Sequence, residues 1–213
     1  MDELHAKHGK ILGERAVAAL TKNGFTAAYL ENGGAARDYI LQRVPAGASV
    51  GFGGSHTVKT LGVADALAAK GCEVLDHNAP GLSKDEQTAI RYRQLAADCF
   101  ISSSNAVTLS GELVNRDGIG NRVAAMIFGP KTVFVVAGVN KIVRDLAEAE
   151  ARIRLTAAPL NCLRLGLPTP CAERGECADC RSERRICNIT SIIGRRPPLA
   201  EFHVLIVGEE MGF

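Results

Sequence analysis

The run TVFVVAG (132–138) constrains the fold more than any other stretch of the sequence. Its residues are continuously apolar, without the alternation that a half-exposed strand shows. A strand of this kind lies inside a parallel sheet whose two faces are both covered by helices. Further strands are predicted at FTAAYL (25–30), SVGF (49–52), CEVLDH (72–77), DCFISSS (98–104), CNITSIIG (187–194) and FHVLIVG (202–208).

Helical patterns separate most of these strands. They cover residues 3–22, 31–44, 58–71, 83–97, 120–129 and 141–157. The fourth of these helices has a start signal, because Ser83 is followed three residues later by Glu86, a capping box. NAVTLSGELVN (105–115) predicts a β-hairpin instead. The alternation predicts an α/β fold, a single domain over residues 1–213 that is doubly wound around a mostly parallel sheet.

The charge balance and the apolar runs exclude two classes of partner. The 25 Lys and Arg residues against 23 Asp and Glu give a net charge of +2, too balanced for a nucleic-acid-binding surface. No apolar run approaches the roughly 20 residues that span a membrane. The N-terminal MDELHAKHGK lacks the apolar core of a signal peptide. We therefore expect a cytoplasmic protein with no nucleic-acid or membrane partner.

A glycine turn follows the predicted strand SVGF, at the edge of the sheet where ligands collect in such folds. Glycines let backbone N–H groups approach a ligand closely, and short hydroxyl side chains add hydrogen bonds. The candidate contacts to an anionic ligand are Gly53, Gly54, Ser55, His56 and Thr57. His56 could also transfer a proton. A tight turn that binds nothing is an equally good interpretation of this stretch alone.

Two later turns carry further candidate contacts. Asn105 follows a strand end and Arg122 opens a helix, so we predict that both contact the ligand. Asn115 and Asp117 fit the role of turn residues better. Lys141 ends the turn after the apolar strand, where it can meet an anion, with a solvated lysine as the alternative.

Two stretches resemble a known family. They are GFGGSHT (51–57) and SSSNAVTLSGELVNRDGIGNRVAAMIFGPKTVFVVAGVNKIV (102–143), which look like the LUD-domain, or lactate-utilisation, proteins. The resemblance implies a fold similar to ribose-5-phosphate isomerase, glucosamine-6-phosphate deaminase and the CoA transferases. It implies an anion loop at Gly53, Gly54, Ser55 and Thr57, in a pocket surrounded by Asn105, Thr108, Gly111, Asn121, Arg122, Asn140 and Lys141. Glu112 does not match the nucleophile motif of the CoA transferases.

Four of the seven cysteines fall in CAERGECADCRSERRIC (171–187). In a reducing compartment such a cluster binds metal more often than it forms disulfides. The predicted ligands are Cys171, Cys177, Cys180 and Cys187. One central C-x2-C pair in one loop is nearer to an iron–sulfur pattern than to the paired knuckles of structural zinc. The redox association of the resembling family also favours a [4Fe–4S] cluster over zinc. Cys72 and Cys99 are predicted core residues, and Cys162 is a spare ligand outside the predicted set.

Three functions are compatible with these features. The first is a redox-linked protein of the lactate-utilisation type, an oxidoreductase or its subunit, which binds a small anionic carboxylate or phosphate. The second is a non-redox isomerase or transferase with a structural zinc loop, and the third is a regulatory module that senses a metabolite. The candidate partners are the small anionic metabolite, a second copy of the chain, and the iron–sulfur or flavin redox subunits that the resemblance implies.

Overall fold

A computed structural model describes residues 3–213, so residues 1 and 2 of the predicted domain lie outside the described range. The strands are β1 (Thr26–Leu30), β2 (Ser49–Phe52), β3 (Glu73–Leu75), β4 (Cys99–Ser102), β5 (Ala106–Thr108), β6 (Leu113–Asp117), β7 (Thr132–Gly138), β8 (Ile142–Val143), β9 (Ile189–Ile193) and β10 (Glu201–Val207). Six of them form one sheet in the order β1-β10-β7-β4-β2-β3. Every neighbouring pair in this sheet is parallel, which confirms the predicted fold class.

Helices cover both faces of the parallel sheet. They are α1 (Glu3–Lys22), α2 (Gly33–Arg43), α3 (His56–Thr60), α4 (Val63–Ala69), α5 (Lys84–Gln94), α6 (Asn121–Ile127), α7 (Leu146–Arg152), α8 (Ala158–Arg164) and α9 (Pro170–Arg174). Within residues 3–213, no helix is long and apolar enough to cross a membrane.

The alternation of side chains along β7 explains its continuous apolar sequence. Phe134 and Val136 pack in a core with α2, α3 and α4, whereas Val133 and Val135 pack in a second core with α1 and α6. All four side chains are essentially inaccessible to solvent. Because successive residues of a strand point to opposite faces, β7 needs apolar residues at every position.

A second, smaller sheet has the order β8-β5-β6-β9 and lies beyond the carboxyl ends of β4 and β7. The predicted hairpin forms its centre, with β5 antiparallel to β6. β8 follows β7 after a short 3-10 turn (Val139–Lys141) and pairs parallel with β5. β9, the predicted strand at 187–194, pairs antiparallel with β6 and does not join the parallel sheet. The two sheets thus face each other across the edge where ligands are expected.

Two predicted helices differ from those observed. The pattern over 58–71 is split into α3 and α4 at Gly62, which adopts φ +62°. The helix predicted over 141–157 begins only at Leu146, because β8 occupies the preceding residues and Asp145 caps the helix by accepting from the Glu148 N–H. It continues through a π-helical turn (Ile153–Ala157) into α8. The predicted capping box of Ser83 and Glu86 is present at α5.

We predict that Asn23→Ala destabilises the fold. The Asn23 amide donates to the carbonyl oxygens of Ser110 and Gly111, both at 2.9 Å, and so ties the end of α1 to the hairpin bend. Removing it leaves buried acceptors unpaired, which should lower the free energy of unfolding by about 1–3 kcal/mol in urea denaturation. Thr21→Ala is the control, since the Thr21 hydroxyl is exposed and bonds only within α1. Equal losses in the two variants would contradict this role of Asn23.

Candidate functional site

A cavity of about 220 Å³ lies between the two sheets, at the carboxyl edge of the parallel sheet. Its walls are formed by the turns after β2, β3, β4, β6 and β7 and by residues of α5 and α8. The predicted contacts that line it are Gly53, Gly54, Ser55, His56, Thr57, Asn105, Asn121, Arg122 and Lys141. Thr108 and Asn140 do not line it. The turns that were separate in the sequence therefore meet at one site.

The glycine turn (residues 53–57) offers backbone N–H groups to this cavity. The Gly53 N–H is committed to the sheet, where it donates to the Ile101 carbonyl oxygen. Across residues 3–213, the N–H groups of residues 54–57 have no hydrogen-bond partner. Gly54 adopts φ +68°, a conformation that side chains disfavour. The turn thus has the open donors that an anion requires.

The hydroxyl groups of the turn have structural roles. The Ser55 hydroxyl accepts from the Val58 N–H and caps α3. The Thr57 hydroxyl donates to the carbonyl oxygen of Met211 at 3.1 Å and accepts from Lys141. A ligand at this turn would therefore meet backbone donors first.

Arg122 is largely buried, with its side chain 13% exposed, and has all five of its N–H donors occupied by the protein. The acceptors are the carbonyl oxygens of Ser103 and Arg116 and the side chains of Asn105, Asn115 and Asp117. Burial lowers the pKa of this guanidinium, and the Asp117 carboxylate 3.2 Å away opposes that shift. Arg122 thus contributes positive charge to the cavity but no free donor. Asp117 also accepts from two N–H groups of its own turn, as predicted.

The predicted residues outside the cavity wall support it. The Asn140 side chain accepts from the Met211 N–H and donates to the Gly212 carbonyl oxygen, both at 3.1 Å. This pairing holds the end of the chain beside the glycine turn. Thr108 is buried in the hairpin, where it bonds to Ser110 and Glu112.

Lys141 is a buried lysine with no carboxylate partner among residues 3–213. It is 3% exposed, and its Nζ atom donates to the hydroxyls of Thr57 at 2.8 Å and Ser103 at 3.0 Å. Burial is the main cause that lowers its pKa to about 7, and the positive charges of Arg152 and Arg122 lower it further. The alternative interpretation of Lys141 as a solvated lysine is therefore wrong.

Arg91 and Arg164 line the cavity and were not predicted from the sequence. Among the residues that the structure describes, Arg164 donates only to the Asn161 side chain. Arg91 has no hydrogen bond or ion pair with any described residue, and its Nε atom is buried. Arg91 sits on α5, within the helix predicted over 83–97, whereas Arg164 sits on α8, which lies outside the predicted helices. The residues next to them in the sequence give no indication of a binding site, because these two arginines come close to the glycine turn only when the chain folds.

Two histidines also line the cavity. The His77 ring is buried and lies 3.0 Å from the Gln94 amide nitrogen. Its pKa is lowered mainly by burial and also by the charge of Arg91, so the neutral ring predominates at neutral pH. His56 stacks on the ring of Phe213, with centroids 5.6 Å apart. The sequence singled out His56 for this site.

The cysteine-rich loop (residues 171–187) borders the same cavity. Ile186 contributes to the wall, and a Cβ at Gly118 would lie 3.2 Å from its Cα. Cys171 is buried, with its Sγ atom 3.7 Å from that of Cys162. Cys177, Cys180 and Cys187 are partly exposed. Cys72 and Cys99 are buried in the sheet core, as predicted.

The donor chemistry of this loop fits a soft metal, since thiols are its ligands of choice. Five thiols occur between residues 162 and 187, and all are free of disulfides. Among residues 3–213, no three Cys, His, Asp or Glu side chains are already gathered around a common metal position. The four-cysteine site therefore stays a prediction.

We predict that Gly54→Val weakens anion binding at the glycine turn. The φ of +68° at Gly54 is strained for any residue with a side chain. A Cβ at this position would lie 3.1 Å from the Asn78 amide nitrogen, beside the open N–H groups. Sulfate affinity, measured by calorimetry, should fall about tenfold or more, because bonds to a charged ligand are lost. Gly62→Val is the control, since Gly62 shares the positive φ but has nothing within 4 Å of its Cβ. Unchanged sulfate affinity in a folded Gly54→Val protein would place the anion elsewhere.

Comparison with known proteins identifies the family. A crystal structure of a DUF162 family protein from Deinococcus radiodurans has a similar fold, with a TM-score of 0.53 and 12% sequence identity. The match covers 93% of this chain and 98% of that one. No curated protein matches the chain significantly. The sequence model of the LUD domain matches residues 13–207, and the chain therefore belongs to the LUD domain family.

Proposed function

We propose that this LUD-domain protein binds a small anionic metabolite, a carboxylate or a phosphate, in the cavity between its two sheets. The main observation in support of this proposal is the excess of positive charge on the cavity wall. Four arginine side chains line the cavity, namely Arg91, Arg116, Arg122 and Arg164. The wall holds one carboxylate, Asp117, which is already paired with Arg122.

The division of roles among these cations supports an anion as the missing partner. Arg116 pairs with Glu150, and Arg122 has no free donor. Arg91 keeps its whole guanidinium uncommitted, and Arg164 keeps one nitrogen uncommitted. A planar guanidinium holds a carboxylate or phosphate through two parallel hydrogen bonds. Arg91 therefore binds the anionic group together with the open N–H groups of the glycine turn.

The cysteine-rich loop extends this proposal to a redox-linked protein of the lactate-utilisation type. The thiols of four residues would be the ligands of a metal ion or a [4Fe–4S] cluster, namely Cys171, Cys177, Cys180 and Cys187. A cluster would supply one-electron chemistry next to the cavity, and the chain's own residues would bind and orient the anion. The contact of Ile186 with the cavity wall supports a link between the two sites.

A second candidate is a non-redox enzyme or a metabolite-binding module with a structural zinc loop. One distance favours zinc. Two thiolates on a tetrahedral zinc, each at about 2.3 Å, lie about 3.8 Å apart. The Sγ atoms of Cys162 and Cys171 are separated by 3.7 Å, so this pair already has the spacing of one edge of such a site.

We expect Arg91→Gln to weaken binding of small anions. Calorimetry with lactate, inorganic phosphate and sulfate should show affinity lower by about 10- to 100-fold for the anion that fits, since a charged hydrogen bond contributes about 1.5–3 kcal/mol. Arg93→Gln is the matched control. Arg93 lies on the same helix but pairs with Glu73 at the exposed surface. A similar loss in both variants would mean that only net charge matters, and the assignment of Arg91 would fail.

We expect Cys177→Ser to strip most of the bound metal from anaerobically purified protein. Metal content and the absorption spectrum are the measurements, with Cys72→Ser as the control because Cys72 lies in the sheet core. Iron, sulfide and a brown colour in the wild type would support the cluster. Colourless protein with stoichiometric zinc would overturn the cluster and favour the second candidate. Metal content unaffected by Cys177→Ser would overturn the four-cysteine site.

A further inference from the structure

We propose that the side-chain amine of Lys141 is a covalent catalyst that forms an imine with a carbonyl group of the bound anion. The inference rests on the proposed function, because the cavity must first hold the anionic end of the ligand. The substrate class is a small aldehyde or ketone that carries a carboxylate or phosphate, such as a 2-oxo acid.

The hydrogen bonds of Lys141 fit a neutral amine. Thr57 donates its own O–H to the Met211 carbonyl oxygen, and Ser103 donates its O–H to the Ser104 carbonyl oxygen. Both hydroxyls are therefore left to accept from Lys141 Nζ. A neutral amine has two N–H groups and one lone pair. The two N–H groups are used, and the lone pair has no partner among residues 3–213.

The charges around Lys141 also oppose an ammonium ion. Arg122 on α6 and Arg152 on α7 are the charged groups that act on it, and both are positive. Arg152 is fixed in place by the carbonyl oxygens of Asn105 and Asn140. A buried lysine without a carboxylate that lies near other cations is an activated amine nucleophile. The low pKa of Lys141, about 7, agrees with this geometry.

A role as a simple anion contact explains Lys141 less well. Both of its N–H groups are already committed, whereas Arg91 and the glycine turn keep open donors for the anion. The wall thus separates an anion-binding part from a nucleophile. Lys141 Nζ lies 2.8 Å from the hydroxyl of Thr57, a residue of the glycine turn, so an anion bound at the turn would bring its carbonyl group towards the lysine.

The proposed step balances without an oxidant or a reductant. The lone pair of Lys141 Nζ attacks the carbonyl carbon to give a carbinolamine. The nitrogen then gives up its two protons, and the carbonyl oxygen leaves with them as water. One C=O bond is replaced by one C=N bond. When the imine nitrogen takes up a proton from water, the resulting iminium ion withdraws electrons from the neighbouring carbon and so eases cleavage of a bond to that carbon.

Reductive trapping tests the proposal. The full-length protein is incubated separately with pyruvate, glyoxylate, glyceraldehyde 3-phosphate and the neutral aldehyde propanal, each with cyanoborohydride. Peptide mass spectrometry then locates the adduct, which for pyruvate adds the mass of pyruvic acid less one oxygen atom. We expect labelling of Lys141 at least about tenfold faster than labelling of exposed lysines, because its neutral fraction is larger at pH 7.5. Lys141→Met should abolish the fast adduct, and Lys59→Met, at an exposed position of α3, should keep it.

The outcomes separate the imine from the proposed function. Fast labelling of Lys141 that inorganic phosphate slows supports both. If phosphate or lactate binds by calorimetry but no probe labels Lys141 faster than exposed lysines, the imine is overturned and anion binding stands. If propanal labels Lys141 rapidly while no anion binds or competes, the reactive amine stands and the proposed function fails. Because the wild-type peptide map identifies the labelled residue, a Lys141→Met protein that does not fold leaves the test intact.

Discussion

The site depends on the hydrogen bonds and the ion pair that the largely buried guanidinium of Arg122 makes. Its five donors join the turn after β4, the end of β6 and the start of α6, which belong to different sheets and helices. A buried charge is tolerated only when it is paired and fully hydrogen-bonded, so these groups must keep their positions. The cavity between the two sheets is a consequence of this arrangement. Most of the residues that hold Arg122 line this cavity, together with the glycine turn and Lys141.

The fold was largely predictable because its strongest signals are local. A continuous apolar run such as TVFVVAG has one good environment, a strand covered on both faces, and the structure places Val133 and Phe134 in opposite cores. The capping box at Ser83 is equally local. The second sheet was not predictable in the same way. The pairing of β9 with β6 joins residues about 75 positions apart in the chain, and no short pattern encodes such a contact.

Only those features of the site that depend on a short stretch of backbone could be predicted from the sequence. The glycines of the turn indicated open N–H groups, and these are present. The partners of each side chain were not predictable. Arg122 and Thr57 were predicted to contact a ligand; both line the cavity, and their side chains also hold protein groups. Arg91 gave no signal, because an arginine on an amphipathic helix resembles any solvated residue until the fold brings it to the cavity. Function in this chain therefore depends on contacts between distant turns.

The cavity and the cysteine-rich loop share a wall, and this contact would couple the two halves of the proposed function. Ile186 lines the cavity and is followed directly by Cys187, while the Asn188 amide donates to the Gly118 carbonyl oxygen at 3.0 Å. Metal binding that drew the thiols together would move this segment, and with it one side of the ligand site. Coupling between two sites is reciprocal, so an anion that orders the wall would favour the metal-bound loop by the same free energy. In the proposed function, the unpaired Arg91 would select a negatively charged ligand, and metal binding at the loop would complete the wall.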